Sequence, residues 1–347
     1  MHALQEAQDR PALFKQHLRE VALAIGFDDV GIACADVLPH GDFLEQWLGV
    51  GRGGDLAYLR HGPRDQPQAL LSGARTLIVA AARYPRSGPE HKAIAAYAQR
   101  EDYHRVLRSG LDTLAELLQA VAPDSRTRVL VDTAPLLERE AAQRAGLGWI
   151  GKSTMLVHRG LGCHTLLGEL LWTEEIEPDP TEVDHCGTCT RCIDACPTGA
   201  LDVPYQIDAR RCLSYYSIEL HGRIPPEYRD AIGTRAFGCD DCIDACPFGA
   251  GSASSPAALL PTHETLARAS LEELLDRALE SFHKHFAWSP VERTRKLGLL
   301  RALMVAIGNH GDPALIERVR PFADHPDSHL REQARWALTR LRGSTSS

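Results

Sequence analysis

Apolar and polar residues follow two different periods along the first half of the chain. Positions 77–82 (LIVAAA) and 129–131 are short apolar runs, which are typical of buried strands. Tyr103–Val121 repeats its apolar residues at steps of three and four, which predicts an amphipathic helix, and residues 1–27 have the same pattern. Strand and helix patterns in alternation favour an α/β fold, in which helices cover the faces of a sheet.

The last part of the chain has a helical pattern. Apolar residues recur at helical spacing from Leu297 to Ile307, and Gly308 is expected to end that helix. Asp312 and Asp327 each predict the start of a further helix, because aspartate caps helix N-termini. Short helices stacked in pairs are typical of HEAT-type repeats, so we expect an all-α region here.

Composition divides the chain into three regions. An acidic segment with two prolines, 174–184, precedes a stretch with eight cysteines, and 251–261 (GSASSPAALLP) has the small residues of a hinge. We expect an α/β domain of residues 1–177, a ferredoxin-like domain of residues 178–251 and a helical region of residues 262–343.

Length and composition restrict the class of protein. A chain of 347 residues exceeds what one hydrophobic core of about 250–300 residues supports, and 44% hydrophobic residues is ordinary for a globular protein. No apolar run approaches the ~18 residues of a membrane span, and the pattern of an export signal is missing. We therefore expect a cytoplasmic protein without membrane contact, and a monomer because no oligomerisation pattern stands out.

Ten cysteines in a chain expected in the reducing cytoplasm indicate metal ligands rather than disulfides. Cys186-x-x-Cys189-x-x-Cys192-x-x-x-Cys196-Pro has the spacing of bacterial ferredoxins. In ferredoxins with two 4Fe–4S clusters, the fourth cysteine of such a run binds the other cluster. The spacing therefore predicts two clusters, provided that a second run exists.

The second run is incomplete. Cys239-x-x-Cys242-x-x-x-Cys246-Pro has Ala236 where the leading cysteine would stand, and the upstream Cys212 can supply the missing ligand. Exchange of the fourth ligands predicts one cluster on Cys186, Cys189, Cys192 and Cys246, and another on Cys196, Cys212, Cys239 and Cys242.

Zinc is the alternative occupant of CxxC pairs. A zinc site needs neither the third cysteine at the next x-x-C step nor the Cys-Pro pair, so the spacing favours iron–sulfur clusters. Cys34 and Cys163 lie outside the pattern, and isolated cysteines are usually small buried apolar residues. Two clusters indicate electron transfer but do not identify the acceptor.

Positions 146–153 (GLGWIGKS) match the phosphate-loop pattern G-x-x-x-x-G-K-S. A phosphate loop follows a strand and opens a helix. Here 133–145 is expected to be a helix that ends at Gly146, and 154–158 (TMLVH) a strand. This reversed order argues against an NTPase, although the turn could hold another ligand.

Two aspartates stand before predicted helices. Asp132 follows the second predicted strand, and ligands of α/β sheets bind beyond the carboxyl ends of strands, so Asp132 is a candidate catalytic acid. Its alternative role is to cap the following helix, which Thr133 could also do. Asp102 is likewise a candidate helix cap, and His104 at such a place is more often structural than a ligand.

The net charge of −8 argues against a uniformly basic nucleic-acid-binding protein. Positions 282–342, however, contain eleven Lys and Arg against six Asp and Glu. Such a region can bind a polyanion, although basic helix faces are often only solvated. The candidate contacts are Arg293, Arg295, Lys296 and Arg301.

Seven segments together resemble the epoxyqueuosine reductase family of cobalamin-dependent iron–sulfur enzymes. They are GRGGDLAYL from Gly51, DYH from Asp102, VDTAPLLER from Val131, AGLGWIGKST from Ala145, the first cysteine run with PTGA, DARRCLSYYSIELHG from Asp208 and FGCDDCIDACPF from Phe237. They span most of the first 250 residues in the family's order. One departure is Arg100, where the family's Y-A-x-G-x-D-Y-H stretch has glycine.

The resemblance implies a nitroreductase-like α/β domain, a two-cluster ferredoxin-like module and HEAT-like C-terminal helices. Cobalamin would lie between the first two, and the family's proton donor falls on Asp132. The implied cobalamin contacts are Asp55, Tyr103, His104, Asp132, Lys152, Ser153, Ser214 and Ser217.

The implied reaction is the two-electron, two-proton deoxygenation of epoxyqueuosine to queuosine at the wobble position of tRNA. Electrons would pass from an unidentified donor through the clusters to cobalamin, and a neutral, partly desolvated Asp132 would protonate the departing oxygen. A corrinoid reductive dehalogenase is disfavoured by the missing twin-arginine signal and by the basic tail. A non-catalytic two-cluster electron carrier would not need the long N-terminal domain.

Overall fold

The computed structural model describes residues 11–86, 93–250 and 259–343. Its N-terminal part contains a four-stranded sheet in which all neighbouring strands run antiparallel. The strand order is β1 (Asp29–Cys34), β2 (Thr76–Arg83), β6 (Thr165–Trp172) and β3 (Thr127–Leu130). The strand predicted at 77–82 lies within β2, and the strand predicted at 129–131 overlaps β3, which ends one residue earlier. Because the sheet is antiparallel, the parallel-sheet rule that pointed to Asp132 does not apply.

Helices cover both faces of this sheet. α1 (Pro11–Ile25) and α4 (Tyr103–Val121) pack on one face, where the core includes Leu18 and Leu114. α5 (Glu138–Arg144) packs on the other face with Ala141 and Ala142. α2 (Gly41–Gly49) and the single turn α3 (Pro67–Leu70) lie between β1 and β2. The predicted helix Tyr103–Val121 is confirmed end to end, whereas residues 1–10 lie outside the described part.

The segment after β3 differs from the prediction. Residues 133–137 form a loop, and the helix predicted from 133 begins only at Glu138. The phosphate-loop pattern occupies a hairpin of β4 (Trp149–Ile150) and β5 (Leu156–Val157) rather than a strand–helix junction. No helix therefore follows Lys152 to present its N-terminus to a phosphate, and the NTPase interpretation is rejected.

The cysteine-rich region consists of short elements. α6 (Arg191–Asp194) lies within the first cysteine run and α8 (Asp241–Asp244) within the second. Between them lie a π-helical turn, Tyr215–Glu219, and α7 (Pro226–Ile232). Tyr215 and Tyr216 of the π-helical turn share an apolar cluster with Val305, so this region packs directly on the C-terminal helices.

The C-terminal helices are α9 (Leu271–Phe286), α10 (Arg295–His310), α11 (Ile316–Val319) and α12 (Ser328–Gly343). The prediction that Gly308 ends α10 is wrong. The helix continues to His310 and is capped by Gly311 at φ 76°. Gly308 serves helix packing instead, since a Cβ there would lie 2.7 Å from the Trp336 ring.

The predicted helix starts in this region are confirmed. The Asp312 side chain accepts a hydrogen bond from the Ala314 N–H at the turn before α11, and that of Asp327 accepts from the Leu330 N–H in α12. Most of the predicted hinge, 251–258, lies outside the described residues. Among the described residues, none of the helices combines the length and apolar character of a membrane span.

Candidate active site

A cavity of about 830 Å³ opens where the sheet, the π-helical turn and the start of α10 meet. Tyr103 and His104, from the first turn of α4, and Asp132, from the loop after β3, line it together. Glu219 of the π-helical turn and the 289–295 segment form the other walls. Its volume is at the upper end for cavities that hold organic ligands.

The backbone around Asp132 is strained. Asp132 has φ 47°, a left-handed conformation that is costly for a residue with a side chain. The Thr133 N–H donates to the Val131 carbonyl across it, so Asp132 is the centre of a three-residue turn, and its own N–H donates to Glu138 Oε1. α5 begins six residues later, which rejects the capping interpretation of Asp132.

His104 bridges two carboxylates. Its Nδ1 lies 2.7 Å from Asp102 Oδ1, and its Nε2 lies 3.0 Å from Asp132 Oδ2. The Asp102 carboxylate also accepts from the His104 backbone N–H as the N-cap of α4, which confirms the capping role predicted for it. The Tyr103 ring stacks on the imidazole with centroids 4.1 Å apart, which fixes the plane of the ring.

This geometry decides where the proton resides. Burial lowers the pKa of His104, but the hydrogen bonds and charges of Asp102 and Asp132 outweigh it and raise the pKa to about 9. Desolvation likewise raises the pKa of Asp132, but the hydrogen bond and charge of His104, with a hydrogen bond from Tyr103, hold it below its usual range. The expectation of a neutral Asp132 is therefore wrong: at neutral pH the carboxylate is ionised, and His104 carries the proton.

The opposite wall contains Tyr58 and Glu219, which the sequence did not single out, beside Arg293, which it did as a candidate polyanion contact. Arg293 forms a two-point ion pair with Glu219, at 2.8 and 3.0 Å, and its guanidinium lies 5.3 Å from the Tyr58 ring centroid. Tyr58 and Glu219 both belong to segments that resemble the reductase family, GRGGDLAYL and SIELHG, which was the available indication. Arg293 thus places a fixed positive charge across the cavity from Asp132.

Four of the cysteines in the two predicted sets surround a second, smaller pocket. Its lining includes Cys186, Cys189, Cys192 and Cys246, the set predicted for one cluster. The GKS turn closes the pocket, and Lys152 Nζ donates to the Gly187 and Cys189 carbonyls at 2.6 and 3.0 Å. The turn therefore lines the cysteine pocket.

The remaining cysteines of the predicted pair of clusters also gather. Burial raises the pKa of the Cys242 thiol well above its usual value, and the nearby Cys239, Cys212 and Cys196 raise it further. Cys212 directly follows the 3-10 turn Ala209–Arg211 and lies in this group. The prediction that Cys212 replaces the cysteine missing at Ala236 requires this position.

The two cysteines outside the pattern differ in their surroundings. Cys163 is buried in an apolar cluster with Trp149 and Ile243, as expected for an isolated cysteine, and it also contacts Cys246. Cys34 is half-buried at the end of β1.

Aromatic and hydroxyl groups connect the cavity with the cysteine region. Tyr97 lines the cavity, and its ring centroid lies 6.1 Å from that of Phe237, two residues before Cys239. The Ser217 hydroxyl accepts a hydrogen bond from the Gly238 N–H at 2.9 Å. Tyr97 and Phe237 therefore connect the cavity wall with the segment that carries Cys239.

The implied cobalamin contacts do not all lie together. Tyr103, His104 and Asp132 line the large cavity, whereas Lys152 and Ser153 line the cysteine pocket. Ser217 is 3% exposed. Its hydroxyl donates to the Leu213 carbonyl and accepts a hydrogen bond from the Gly238 N–H. It is therefore unavailable to a ligand, which corrects its assignment. Asp55 and Ser214 lie outside the described lining of the cavity, although the Asp55 N–H binds the Tyr215 hydroxyl.

One of the four candidate polyanion contacts is misassigned. Arg301 of α10 is 6% exposed. Its guanidinium donates to the carbonyl of His221, which follows the π-helical turn. A buried side chain of this kind cannot reach a phosphate. Arg293 and Arg295 are exposed at the mouth of the cavity, and the neighbouring Lys296 is exposed as well.

Replacing Asp102 by Asn tests the charge state of His104. Asn can still cap α4, but it removes one of the two negative charges that stabilise the imidazolium. We expect the His104 pKa to fall from about 9 by at least ~1 unit, measured by an NMR pH titration of the imidazole. Asp36→Asn, at an exposed site after β1, is the control, and an unchanged midpoint in Asp102→Asn would contradict this electrostatic account.

Two family models match the chain. The 4Fe-4S double cluster binding domain matches residues 185–249, and the domain described as "Epoxyqueuosine reductase QueG, DUF1730" matches residues 64–133. The double-cluster match covers all seven cysteines of the two runs and Cys212, eight in total. The second match covers Asp102, His104 and Asp132 of the cavity.

Solved structures give the same result. A crystal structure of epoxyqueuosine reductase with an epoxyqueuosine-modified tRNA-Tyr stem loop is 31% identical, with a TM-score of 0.85, and the match covers 96% of this chain and 91% of that one. The enzyme from Bacillus subtilis, in a structure with an aspartate-bearing catalytic loop swung out of the active site, is 29% identical with a TM-score of 0.81 over 96% and 91% of the two chains.

Curated relatives extend the match across nearly the whole length. The epoxyqueuosine reductase of Pseudomonas aeruginosa is 36% identical over 95% of both chains. That of Burkholderia pseudomallei (strain K96243) is 36% identical over 90% of this chain and 89% of its own. With this identity over the cavity and the cysteine region together, the chain belongs to the epoxyqueuosine reductase family of oxidoreductases.

Proposed function

We propose that this chain reduces epoxyqueuosine to queuosine in tRNA, with cobalamin in the large cavity and two 4Fe–4S clusters beside it. The observation that carries the proposal is the His104–Asp132 hydrogen bond in a cavity whose wall residue Tyr97 contacts Phe237, two residues before Cys239. Protons and electrons can therefore reach one ligand from different sides. This combination suits a reductive deoxygenation.

The cysteines fit two cubanes. In the proposal, Cys186, Cys189, Cys192 and Cys246 hold one cluster, and Cys196, Cys212, Cys239 and Cys242 hold the other. The second cluster is the one next to the cavity, because Phe237 and Gly238 precede its ligand Cys239 and contact the cavity wall. The first is farther away, beneath the GKS turn, and would accept electrons from a donor that the chain does not specify.

The cavity fits a large planar cofactor with polar side chains. It is open, its walls hold carboxylate, imidazole and guanidinium groups, and Tyr58 and Tyr97 provide aromatic surface. Cobalamin supplies reduced cobalt chemistry toward a carbon–oxygen bond when it is bound. Tyr103, His104 and Asp132 would hold or face it, whereas Lys152 and Ser153 act through the cluster pocket.

The chain's own residues manage the protons. Removal of the epoxide oxygen as water consumes two protons, and one is available on His104 at neutral pH. We propose that this proton moves from Nε2 of His104 to Asp132, 3.0 Å away, and that Asp132 passes it to the departing oxygen. Asp132 is the outermost group of the pair, with 43% of its side chain exposed against 27% for His104.

The rim of the cavity is suited to a nucleic acid. Arg295 and Lys296 are exposed beside it, and Trp288, which is 59% exposed, stacks under the Arg105 guanidinium at 3.9 Å. Exposed basic groups bind phosphates, and exposed aromatic rings stack with unpaired bases. We propose that this rim binds the anticodon stem-loop.

We also propose that the chain is divided into a nitroreductase-like domain (1–177), a ferredoxin-like domain (178–251) and a HEAT-like region (262–343).

Replacing Asp132 by Asn tests the proton-transfer role. The amide keeps the size of the side chain but cannot carry the carboxylic proton, so we expect turnover to fall by about 10²–10⁴. The measurement is anaerobic incubation with epoxyqueuosine-containing tRNA, followed by nucleoside mass analysis. Iron content and cobalamin binding should match the parent, and full turnover by the variant would reject the role.

Replacing Cys212 by Ala tests the ligand assignment. The cluster proposed for Cys196, Cys212, Cys239 and Cys242 should be lost, so that about half of the iron remains, with one cubane signal in the electron paramagnetic resonance spectrum of the reduced protein. Cys34→Ala, at a cysteine outside both sets, should retain all of the iron. Full iron content in the Cys212 variant would exclude this residue as a ligand.

A double substitution, Arg295→Ala with Lys296→Ala, tests the rim. Each lost phosphate contact should reduce the slope of log Kd against log salt by roughly 0.7–0.9, and affinity should weaken at low salt. Arg293 is left unchanged because its ion pair with Glu219 affects the cavity itself. The control is Arg318→Ala with Arg320→Ala, two ion-paired residues of the α11 region. If the control and the test variant have the same slope, the tRNA binds elsewhere.

A further inference from the structure

A carboxylic acid lies in the apolar layer behind the Asp132 loop. Glu169 is in β6, between Val79 of β2 and Leu130 of β3, and is 0% exposed. Strand alternation places it on the same face as Leu167 and Leu171, which is the face covered by α5. Among the described residues, neither of its carboxyl oxygens has a hydrogen-bond partner of ordinary geometry.

A second acid connects Glu169 with Asp132. Glu138, the first residue of α5, accepts the Asp132 N–H at Oε1, and its carboxyl group interacts directly with that of Glu169. Burial raises the pKa of Glu138 to about 7, and the charge of Asp132 adds to the effect. Burial raises the pKa of Glu169 well above its usual value, and Glu138 and Asp132 raise it further.

The charges that face this pair do not neutralise it. Arg139 of α5 and His104 of α4 favour the ionised form of Glu138, whereas Asp132 opposes it, and Val79 and Leu130 on the flanking strands are apolar. Two ionised carboxylates in contact inside an apolar layer would be very unfavourable. At least one proton therefore stays on the pair at neutral pH.

We infer that Glu138 and Glu169 form a protonated carboxyl pair that positions the Asp132 loop and carries the second proton of the reduction. The inference rests on the proposed function, in which water formation from the epoxide oxygen consumes two protons and two electrons. His104 holds the first proton. After Asp132 has passed that proton from His104 to the oxygen, the second proton moves from the pair to the Asp132 carboxylate, and the pair is left with one more negative charge.

A purely structural role explains these residues poorly. A buried acid whose polar contact is a second acid destabilises the fold, and an apolar side chain of similar size would be better tolerated. Glu138 alone would suffice to hold the Asp132 N–H. The position of Glu169 therefore indicates a function that needs an ionisable proton.

Infrared spectroscopy of the full-length, cluster-loaded chain without substrate tests the pair directly. The parent should have the carbonyl stretch of a protonated carboxylic acid at pH 7, where ordinary carboxyls are ionised. Glu169→Gln should remove this band, and Glu138→Gln should shift or remove it. Glu140→Gln, which removes another buried acid of α5, should leave it unchanged. Absence of the band in the parent, or its persistence in Glu169→Gln, overturns the inference.

Turnover supplies the second readout. With cobalamin-loaded enzyme and an epoxyqueuosine-containing stem-loop, Glu169→Gln should lower kcat by ~10-fold or more, leave KM unchanged and increase the solvent deuterium isotope effect. Unchanged kcat in Glu169→Gln overturns the proton-carrying role even if the band behaves as expected. If the parent itself does not reduce the substrate while the band behaves as expected, the proposed function is wrong, but the protonated carboxyl pair is still supported. If Glu169→Gln does not fold, Glu138→Gln decides by the same measurements.

Discussion

The protonated imidazole of His104, held between Asp102 and Asp132, is the interaction on which the site depends. Asp102 caps α4 with the same carboxylate that orients the ring, so the helix start and the position of the proton are fixed together. On the other side, the ion pair helps to hold Asp132 in a backbone conformation that it would otherwise avoid. Loss of either carboxylate would therefore change the charge, the orientation and the protonation of the group that faces the ligand.

The rest of the architecture brings electrons to the same place by a separate route. The antiparallel sheet and α4 carry the proton-bearing residues, whereas the cysteine region reaches the cavity through the π-helical turn and Phe237. The start of α10 closes the third side with Arg293, whose ion pair with Glu219 joins the C-terminal helices to the cysteine region. Each of the three regions thus contributes one wall, and none forms the cavity alone.

The sequence predicted what depends on local spacing. The cysteine runs, the helix Tyr103–Val121 and the cap at Asp327 follow from short-range patterns, and the structure agrees. Prediction from the sequence failed where residues distant in the chain decide the outcome. His104 sets the ionisation of Asp132, and the contact with His221 holds the Arg301 side chain in the interior. A single acid in the apolar strand TLLGELLW was visible in the sequence, but its meaning required knowing that Glu138 lies beside Glu169.

The pH dependence of single-turnover reduction by the parent enzyme tests the central claim, that the transferable proton is stored on His104. The folded-state pKa of about 9 lies above the ordinary value near 6.5, so the proton is present through neutral pH and lost as pH rises through 9. The rate constant should be flat near pH 7 and fall tenfold per pH unit above pH ~9. A rate that already declines from pH ~4–5 upward, as for an isolated carboxylic acid, would contradict the account.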